Sequence, residues 1–319
     1  MRAGQADSIR LTAVVATFNR RPLLQEALQS ILDQTESVDE IVVVDDGSTD
    51  DTADFIGRLR TDIPLHYIYQ NNRGPQAARN AGFDASTGTW IAFCDDDDLW
   101  MPQRCATVKR LLHTRPVDLV ASDFSLMAAD KTIVPSLFER HRQSHPNIWT
   151  HFKREPSHEF SFAANIPSTD LLPEYPFWGA TVIYSRQTVT EIGGWNIDTL
   201  GIPSEDLHFI FRALRNRSIG IIWDPTLCYR VHPGNVSHDQ NKKLLGRVDI
   251  AELLITEIKN SAECSKLKNF VRTALDELLW YYVNTDNISQ TLKICRRLGW
   301  HRLGIRQLGQ VIKTMLRSF

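Results

Sequence analysis

A run of four aspartates at positions 95–98 follows directly on a short apolar run, residues 90–94, and precedes a Leu-Trp pair. Four adjacent like charges at the end of a buried strand repel one another and destabilise the fold. A divalent cation with bound phosphates removes this conflict, because Mg²⁺-type ions bind through one or two carboxylates and phosphate oxygens. The alternative is a solvated acidic turn, but turns rarely need four carboxylates and apolar residues flank this run on both sides. We therefore predict a cation-dependent site here.

Charge is distributed unevenly along the 319 residues. Residues 1–240 carry 22 Lys+Arg against 31 Asp+Glu, a net of −9, and residues 241–319 carry 14 against 7, a net of +7. The hydrophobic content of 42% and charged content of 23% are those of an ordinary globular protein. The acidic part suits a cation-dependent site, and the basic tail suits an anionic surface. We expect no nucleic-acid partner.

The five cysteines are scattered and form no C-x-x-C pair, which argues against a disulfide framework or a zinc site and favours a reducing compartment. We see no signal peptide, and no apolar run approaches the ~18 residues of a membrane span. The prediction is a soluble, cytoplasmic protein, or one peripheral to the inner face of the membrane.

The first 125 residues alternate between strand and helix patterns. Strands are predicted at residues 10–16, 41–44, 65–69, 89–94 and 117–122. Helices are predicted from residue 22 onward, from after residue 50 to about residue 60, at 75–85 and at 102–113. This alternation predicts a mostly parallel α/β sheet with helices on both faces, which binds ligands at the carboxyl ends of its strands. The polar clusters at 17–19, 45–50, 70–74 and 95–98 lie at such ends, so we expect them to converge on one crevice.

Residues 130–175 break this rhythm with five prolines and four histidines, His141, His145, His151 and His158. Their spacings fit no compact metal-ligand set, so we expect solvated loop histidines. Regular patterns return with strands at 181–184 and 219–223 and a helix at 204–216, and the chain is helical from about 243. The predicted domains are therefore residues 1–240 and a helical region, 241–319.

Seven sequence blocks carry a family resemblance. They lie at residues 14–20, 43–52, 72–82, 93–100, 193–195, 204–206 and 229–232, and begin with VVATFNR, VVDDGSTDDT and NRGPQAARNAG. In this order they resemble the GT-A-fold, family 2 glycosyltransferases, which use nucleotide-sugar donors. The resemblance covers roughly residues 9–237 and implies a Rossmann-like GT-A fold.

The resemblance implies a nucleotide-sugar site formed by Thr17, Phe18, Asn19, Asp45, Asp46, Arg79, Asp95, Asp96 and Arg230. Phe18 would offer an apolar face to the base, with core packing as the alternative. Asp45 or Asp46 would read the base edge. Arg79 would pair with carboxylates or a phosphate, with an exposed surface arginine as the alternative.

The same resemblance implies metal and catalytic roles. Asp97 would hold Mn²⁺ or Mg²⁺, Asp95 would lie near the ribose or the metal, and Asp96 is a candidate for either role, whereas Asp98 is expected to be structural. His232 is a further candidate metal ligand. Asp206, with Glu205 beside it, would take the proton from the acceptor hydroxyl. Alternatively these two acids only cap the following helix, and both roles are compatible.

The sequence therefore predicts metal-dependent, inverting transfer of a sugar from a nucleoside diphosphate sugar, with UDP favoured, to a glycan or lipid-linked acceptor. Processive synthases of the family carry membrane spans and a Gln-x-x-Arg-Trp motif, and neither is found, so we predict few additions per encounter. A phosphotransferase would carry its aspartates after the first strand, and a nucleotidyltransferase would open with a glycine-rich, lysine-bearing loop. Neither acidic run fits an EF-hand. A non-catalytic nucleotide-sugar binder is the remaining alternative.

The last 19 residues predict a basic amphipathic helix. Ile305, Leu308, Ile312, Met315, Leu316 and Phe319 fall on one stripe, beside Arg302, Arg306, Lys313 and Arg317. Such a helix can lie on an anionic membrane surface, where a lipid-linked acceptor would be found. The alternative, slightly favoured from the sequence, is that the stripe packs onto the catalytic domain.

Overall fold

The computed structural model describes residues 8–128, 133–154, 159–171, 174–231 and 239–316. Within these residues ten strands form one sheet in the order β3-β2-β1-β4-β9-β6-β10-β5, with β7 on β6 and β8 on β10. The strands are β1 Leu11–Thr17, β2 Glu40–Asp45, β3 Leu65–Tyr69, β4 Trp90–Asp95, β5 Leu99–Trp100, β6 Leu119–Met127, β7 Ile133–Val134, β8 Phe160–Ala164, β9 Val182–Ser185 and β10 Ser218–Arg230.

The parallel part of the sheet positions the acidic segments. Strands β3, β2, β1 and β4 run parallel, with Thr17 paired to Asp45 and Ala16 paired to Asp95. Strand β9 is antiparallel and lies between β4 and β6. Since parallel strands end at a common edge, the last residues of β1, β2 and β4 and the loops after them are neighbours.

The described helices are α1 Arg21–Leu32, α2 Thr52–Arg58, α3 Pro75–Ala85, α4 Arg104–Thr114, α5 Leu137–Ser144, α6 Arg186–Glu191, α7 Glu205–Leu214, α8 Gln240–Glu257, α9 Ser261–Asn284, α10 Ile288–Leu298 and α11 Ile305–Leu316. Every residue of β2 is buried, as expected for a continuous β-branched strand covered on both faces. Helix α3 lies close to β1, because a Cβ on Gly82 would come within 2.3 Å of Val14 Cγ1. The mixed α/β sheet with its helices and the helical C-terminal region confirm the predicted fold class.

The chain divides into two compact units. The first consists of Met1–Leu200 with Phe209–Asn235, and the second of Gly201–His208 with Val236–Phe319. Residues 201–208, which group with the C-terminal helices, lie within the first of the two domains predicted from the sequence, residues 1–240 and 241–319.

The second unit has its own apolar core, built from α8, α9, α10 and α11. Its buried members include Val248, Leu275, Leu278, Ile294 and Val311. Helix α8 also contacts the segment 201–208 of the same unit: a Cβ on Gly246 would lie 2.0 Å from the carbonyl oxygen of Pro203, so only glycine fits there. In the described part of the chain, none of the helices combines the length and apolar character needed to cross a bilayer.

Candidate active site

The polar segments after β1, β2 and β4 contact one another. The Thr17 hydroxyl donates to Oδ2 of Asp96 over 2.7 Å. The Asn19 N–H donates to Ser48 Oγ over 2.8 Å, and the Thr49 N–H donates to Asn19 Oδ1 over 2.7 Å. Asn19 has a φ of 52°, in the left-handed region that Asn tolerates better than most residues. The structure thus brings Thr17, Asn19 and Asp96 together at one edge of the sheet.

Asp45, the last residue of β2, and Asp46 after it are both buried and hold the surrounding loops. Asp45 accepts hydrogen bonds from the Ser48 N–H and the Tyr67 hydroxyl, each over 2.7 Å. Asp46 accepts three hydrogen bonds from the next polar segment, donated by Gln70 Nε2 (2.6 Å), Arg73 N (2.9 Å) and Gly74 N (2.8 Å). Asp46 therefore ties the segment after β2 to the segment after β3, and both aspartates stay candidates for the base edge.

Phe18 lies beyond the end of β1 with 44% of its surface exposed. An exposed aromatic ring beside a cluster of buried carboxylates does not contribute to the core, so the core-packing alternative for Phe18 is wrong. The exposed face is available to stack on a planar ligand. Its role as the platform for a nucleotide base remains a prediction.

Arg79 is not a surface arginine, because only 11% of its side chain is exposed. Its NH2 donates to Asp95 Oδ1 over 2.7 Å, and its guanidinium lies 4.5 Å from the ring centroid of Trp195. Asn80 holds Trp195 at both backbone polar atoms, over 2.8 and 2.9 Å. Gly194 has a φ of 71°, and a Cβ there would meet Asn80 Oδ1 at 2.6 Å. The Gly-Gly-Trp block thus places a flat ring against the arginine, a role that the sequence analysis missed.

The four aspartates at positions 95–98 are buried to different degrees, and burial raises the pKa of two of them. Burial raises the pKa of Asp96 to about 6, although the hydrogen bond from Thr17 and the charge of Arg20 act in the opposite direction. Burial, with the charges of Asp95 and Asp97, raises the pKa of Asp98 well above its ordinary value. Neighbouring buried carboxylates with raised pKa values are typical of sites that bind cations.

Arg20 was overlooked as a site residue, although it directly follows the Phe-Asn pair in the first sequence block. Its NH1 lies 3.1 Å from Asp96 Oδ1 and 3.0 Å from Asp97 Oδ2. Burial alone would lower the pKa of Arg20, but the carboxylates of Asp96 and Asp97 raise it, so the guanidinium stays charged.

Arg230, at the end of β10, also lies against the acidic segment. Its Nε donates to the carbonyl oxygen of Asp97 over 3.2 Å, and its NH2 pairs with Glu26 over 2.5 Å. The Arg230 N–H contacts Asp98 Oδ1 at 3.4 Å. Its predicted contact with the donor remains a prediction. His232, the candidate metal ligand, lies outside the described residues.

The chemistry of the carboxylates suits a divalent cation. Asp95 and Asp97 offer hard carboxylate oxygens, the ligands that Mg²⁺ and Mn²⁺ select. Oδ2 of Asp98 is buried and, among the described residues, accepts no hydrogen bond. A buried carboxylate oxygen without a donor beside further carboxylates is stabilised by a nearby cation.

Glu205 and Asp206 occupy the first turn of α7 in the second unit. Oδ1 of Asp206 accepts a hydrogen bond from the Leu207 N–H over 2.9 Å, and Ser204 precedes the helix with a φ of 67°. Two residues further on, His208 Nε2 lies 3.0 Å from Oε1 of Glu257 at the end of α8. The helix-start position expected for both acids is thus confirmed, and their catalytic roles stay predictions.

The histidines of residues 130–175 were predicted to be solvated in a loop, but two of them are half-buried on and after α5. Ligand atoms of His141, His145 and Glu174 lie within 4.8 Å of one another, so the expectation that no compact set forms was wrong. The residues four apart share one helix face, which the spacing argument overlooked. However, the indole of Trp149 donates to His141 Nδ1 over 2.9 Å. In the neutral ring this leaves the proton on Nε2, so His141 offers no lone pair to a metal.

This mixed sheet, with acidic residues and arginines at the ends of its strands, has the GT-A architecture predicted from the sequence. Residues 12–151 match the family model described as glycosyl transferase family 2. The match covers less than half of the chain, and over these residues it agrees with the family resemblance of the sequence blocks.

Related proteins match this chain over different lengths. An uncharacterized glycosyltransferase of Nostoc sp. is 38% identical over 128 residues, which are 39% of this chain and 40% of that protein. WfaP of Escherichia coli, a UDP-Glc:alpha-D-GlcNAc-diphosphoundecaprenol beta-1,3-glucosyltransferase, is 26% identical over 245 residues, 75% of this chain and 84% of that one. The chain thus spans well under two thirds of the Nostoc relative, and 15% of an uncharacterized glycosyltransferase of Rickettsia felis.

Solved structures share the fold at low sequence identity. S. aureus TarS 1–349 has a TM-score of 0.59 and 18% identity, with 96% of this chain and 80% of that chain covered. The mannosyltransferase PcManGT of Pyrobaculum calidifontis, in complex with GDP-Man and Mn²⁺, has a TM-score of 0.57 and 18% identity, with coverage of 97% and 86%.

Proposed function

We propose that this protein transfers a sugar from a nucleoside diphosphate sugar, UDP-linked, to a glycan or lipid-linked acceptor, with inversion and with a divalent cation. One observation carries the proposal: residues from the ends of three parallel strands meet at one edge, where Thr17 contacts Asp96, Asp46 joins two loops, and Arg79 pairs with Asp95. This edge is where α/β sheets bind nucleotides.

The printed names of relatives support the donor and acceptor classes. WfaP acts on a diphosphoundecaprenol acceptor with UDP-Glc, and a Campylobacter jejuni relative, 39% identical over 92 residues, is a GalNAc(5)-diNAcBac-PP-undecaprenol beta-1,3-glucosyltransferase. That relative is covered over 30% of its length. TarS has been solved with UDP-GlcNAc, and PcManGT with GDP-Man and Mn²⁺. A lipid-linked acceptor also suits a cytoplasmic enzyme working at the inner face of the membrane, which we propose as its location.

In the proposed mechanism Phe18 stacks on the base, Asp45 or Asp46 accepts a hydrogen bond from its edge, and Asp95 with Arg79 lies by the ribose and phosphates. Asp97, with Asp95 and His232 as further candidates, would hold Mn²⁺ or Mg²⁺, which neutralises charge on the departing diphosphate. Asp206, beside Glu205, takes the proton from the acceptor hydroxyl. The new bond to the anomeric carbon then forms as its bond to the diphosphate oxygen breaks on the opposite face, which inverts the configuration.

A panel of nucleotide sugars tests the proposal. The full chain with Mn²⁺ is incubated with each donor and a lipid diphosphate acceptor, and the released nucleotide is measured beside donor binding. We expect turnover with at least one UDP-sugar and its loss by orders of magnitude in Asp206→Asn, with binding retained. Binding without turnover for every donor would instead make the protein a nucleotide-sugar binder, the alternative function.

We further propose that helix α11 meets an anionic membrane surface. The helix packs on α9 through Val311 and Thr314, whose hydroxyl donates to the carbonyl oxygen of Val283 over 3.2 Å. Its opposite face leaves Ile305 91% exposed and Ile312 54% exposed. Arg302, Arg306 and Lys313, also exposed, lie beside them. The predicted single stripe is therefore divided, because Leu308 belongs to the core side while two isoleucines face solvent.

Co-sedimentation with vesicles of neutral and of anionic lipids tests this surface. Exposed isoleucines flanked by cations suit an interface rich in anionic headgroups. We expect the wild type to sediment with anionic vesicles and the double variant Ile305→Ser/Lys313→Glu to lose most of this binding. Lys268→Glu, an equally exposed charge change on α9, serves as the control and should bind like the wild type. Equal binding by both variants would refute this surface.

A further inference from the structure

Arg20 lies between two carboxylates that are far more buried than itself. Its side chain is 40% exposed, whereas the side chains of Asp96 and Asp97 are 6% and 10% exposed. A single nitrogen, NH1, contacts both carboxylates. The guanidinium therefore reaches the acidic pair from the solvent side, as a cation entering from solution would.

The other two arginines at this edge are held more firmly. Arg79 is nearly buried, pairs with Asp95 and lies over the ring of Trp195. Arg230 is tied to the carbonyl oxygen of Asp97 and to Glu26, with 18% of its side chain exposed. Among the described contacts, the side chain of Arg20 meets only the carboxylates of Asp96 and Asp97. It is thus the arginine that can leave the aspartates without breaking a second interaction.

We propose that Arg20 competes with the divalent cation for Asp97 and, once displaced, pairs with the diphosphate of the donor. A guanidinium and a divalent cation on the same carboxylate repel each other, so binding of the cation favours release of Arg20. The released side chain stays at the mouth of the site, where its planar fork matches phosphate oxygens. This inference rests on the proposed function and assigns Arg20 a donor-binding role in it.

The proposal makes the cation and the nucleotide cooperative ligands. The cation frees Arg20 for the diphosphate, and a diphosphate that holds Arg20 frees Asp97 for the cation. By thermodynamic linkage each ligand then increases the binding affinity of the other by the same factor. Most of this coupling passes through Arg20 and disappears when its charge is removed.

The test is a titration of the full chain with Mn²⁺, monitored by the signal of free Mn²⁺, without and with UDP. Arg20→Gln removes the charge and keeps a polar side chain. We expect it to bind Mn²⁺ alone roughly tenfold more tightly than the wild type, to bind UDP with Mn²⁺ more weakly, and to lose most of the coupling. Unchanged or weaker binding of Mn²⁺ alone by the folded variant would overturn the proposal.

Arg21→Gln is the matched control, because Arg21 adjoins Arg20 but lies 3.6 Å from Asp51 and over the Phe55 ring. It should bind Mn²⁺ and UDP like the wild type. If Arg20→Gln does not fold, Arg20→Lys is measured instead. The shorter side chain reaches the two carboxylates less closely and should compete less, and Mn²⁺ affinity no higher than in the wild type would count against the proposal.

Asp97→Asn separates failure of this inference from failure of the proposed function. If Asp97→Asn binds Mn²⁺ as the wild type does, the metal site itself is wrong. If Asp97→Asn loses Mn²⁺ and Arg20→Gln leaves its affinity unchanged, the metal site stands and the role of Arg20 is refuted.

Discussion

Strand β1 has a threonine near each end, and each donates a hydrogen bond to a buried carboxylate. Near the start of the strand, Thr12 Oγ1 lies 2.6 Å from Glu40 Oε2, and at its end Thr17 Oγ1 lies 2.7 Å from Asp96 Oδ2. The surroundings differ. Glu40 also accepts from the N–H and the hydroxyl of Thr87, over 2.7 and 3.1 Å. Asp96 adjoins three further aspartates and shares one arginine nitrogen with Asp97.

The pKa directions report this difference. Burial alone would raise the pKa of Glu40, but the hydrogen bonds from Thr12 and Thr87 outweigh it and the pKa is lowered. For Asp96 burial prevails, and the pKa rises to about 6. A buried carboxylate whose hydrogen-bond donors offset its burial stabilises the fold. A buried carboxylate whose donors do not offset its burial is further stabilised when a cation binds to it. The two ends of β1 thus separate a structural carboxylate from candidate functional ones.

The largest expected effect lies at the end of β1 and β4. Asp97→Asn should lower the rate of sugar transfer with Mn²⁺ by roughly 10³-fold, since the carboxylate proposed to hold the cation against the departing diphosphate is lost. Its free energy of unfolding should stay within about 1 kcal/mol of the wild type, because one of four crowded charges has gone. Transfer kinetics measure the rate of the variant, and urea unfolding measures its free energy of unfolding. Near-wild-type transfer would contradict the role of this carboxylate.

At the other end of β1 the loss should fall on stability. Glu40→Gln replaces the acceptor of three hydrogen bonds with a group that can accept fewer, and should cost about 1.5–3 kcal/mol of unfolding free energy. The transfer rate of the folded enzyme should not change. Glu36→Gln, an exposed neighbour 3.1 Å from Lys109, is the control and should stay within about 0.5 kcal/mol. A Glu40→Gln enzyme of normal stability but low activity would reverse the comparison.

The pH dependence of the same variant tests the direction of the shift. Because the folded-state pKa of Glu40 lies below the ordinary value of 4.5, its stabilisation is complete above that pH and is lost as the pH falls through the lowered value. The stability difference between wild type and Glu40→Gln should therefore be constant near neutrality and shrink below about pH 4.5. Urea unfolding at several pH values measures it, and a difference that grows on acidification would show the opposite shift.

The sequence predicted the regular part of the fold well. The predicted strand at 65–69 and helix at 75–85 coincide with β3 and α3, since proline begins that helix and the apolar spacing continues to its end. The carboxyl ends of the strands also located the polar segments, because chain direction alone places them at one edge.

The irregular segment was predicted poorly because distant residues fix its structure. Helix α5 starts where Asp123 accepts the N–H groups of Leu137 and Phe138 over 3.0 and 2.9 Å. Nothing in the local spacing of residues 130–175 shows this contact. For the same reason the burial of Arg79 was not predicted, since Trp195 lies far from it in the chain and meets it only in the fold.

The smallest expected effect compares the two threonines directly. Thr12→Val and Thr17→Val each remove one hydroxyl from a buried site and keep the shape of the side chain. Thr12→Val should lower the free energy of unfolding by about 1–3 kcal/mol. Glu40 loses a hydrogen-bond donor, and the Gly88 N–H loses its acceptor, Thr12 Oγ1, which lies 3.1 Å from the Gly88 nitrogen. Thr17→Val should cost less, about 0.5–1 kcal/mol, because Arg20 still neutralises Asp96. Only Thr17→Val should slow transfer, by a few-fold, since it loosens a carboxylate of the site. Urea unfolding and transfer kinetics of both variants measure these effects. Equal losses of stability with no change in transfer rate would show that the two ends of β1 do not differ.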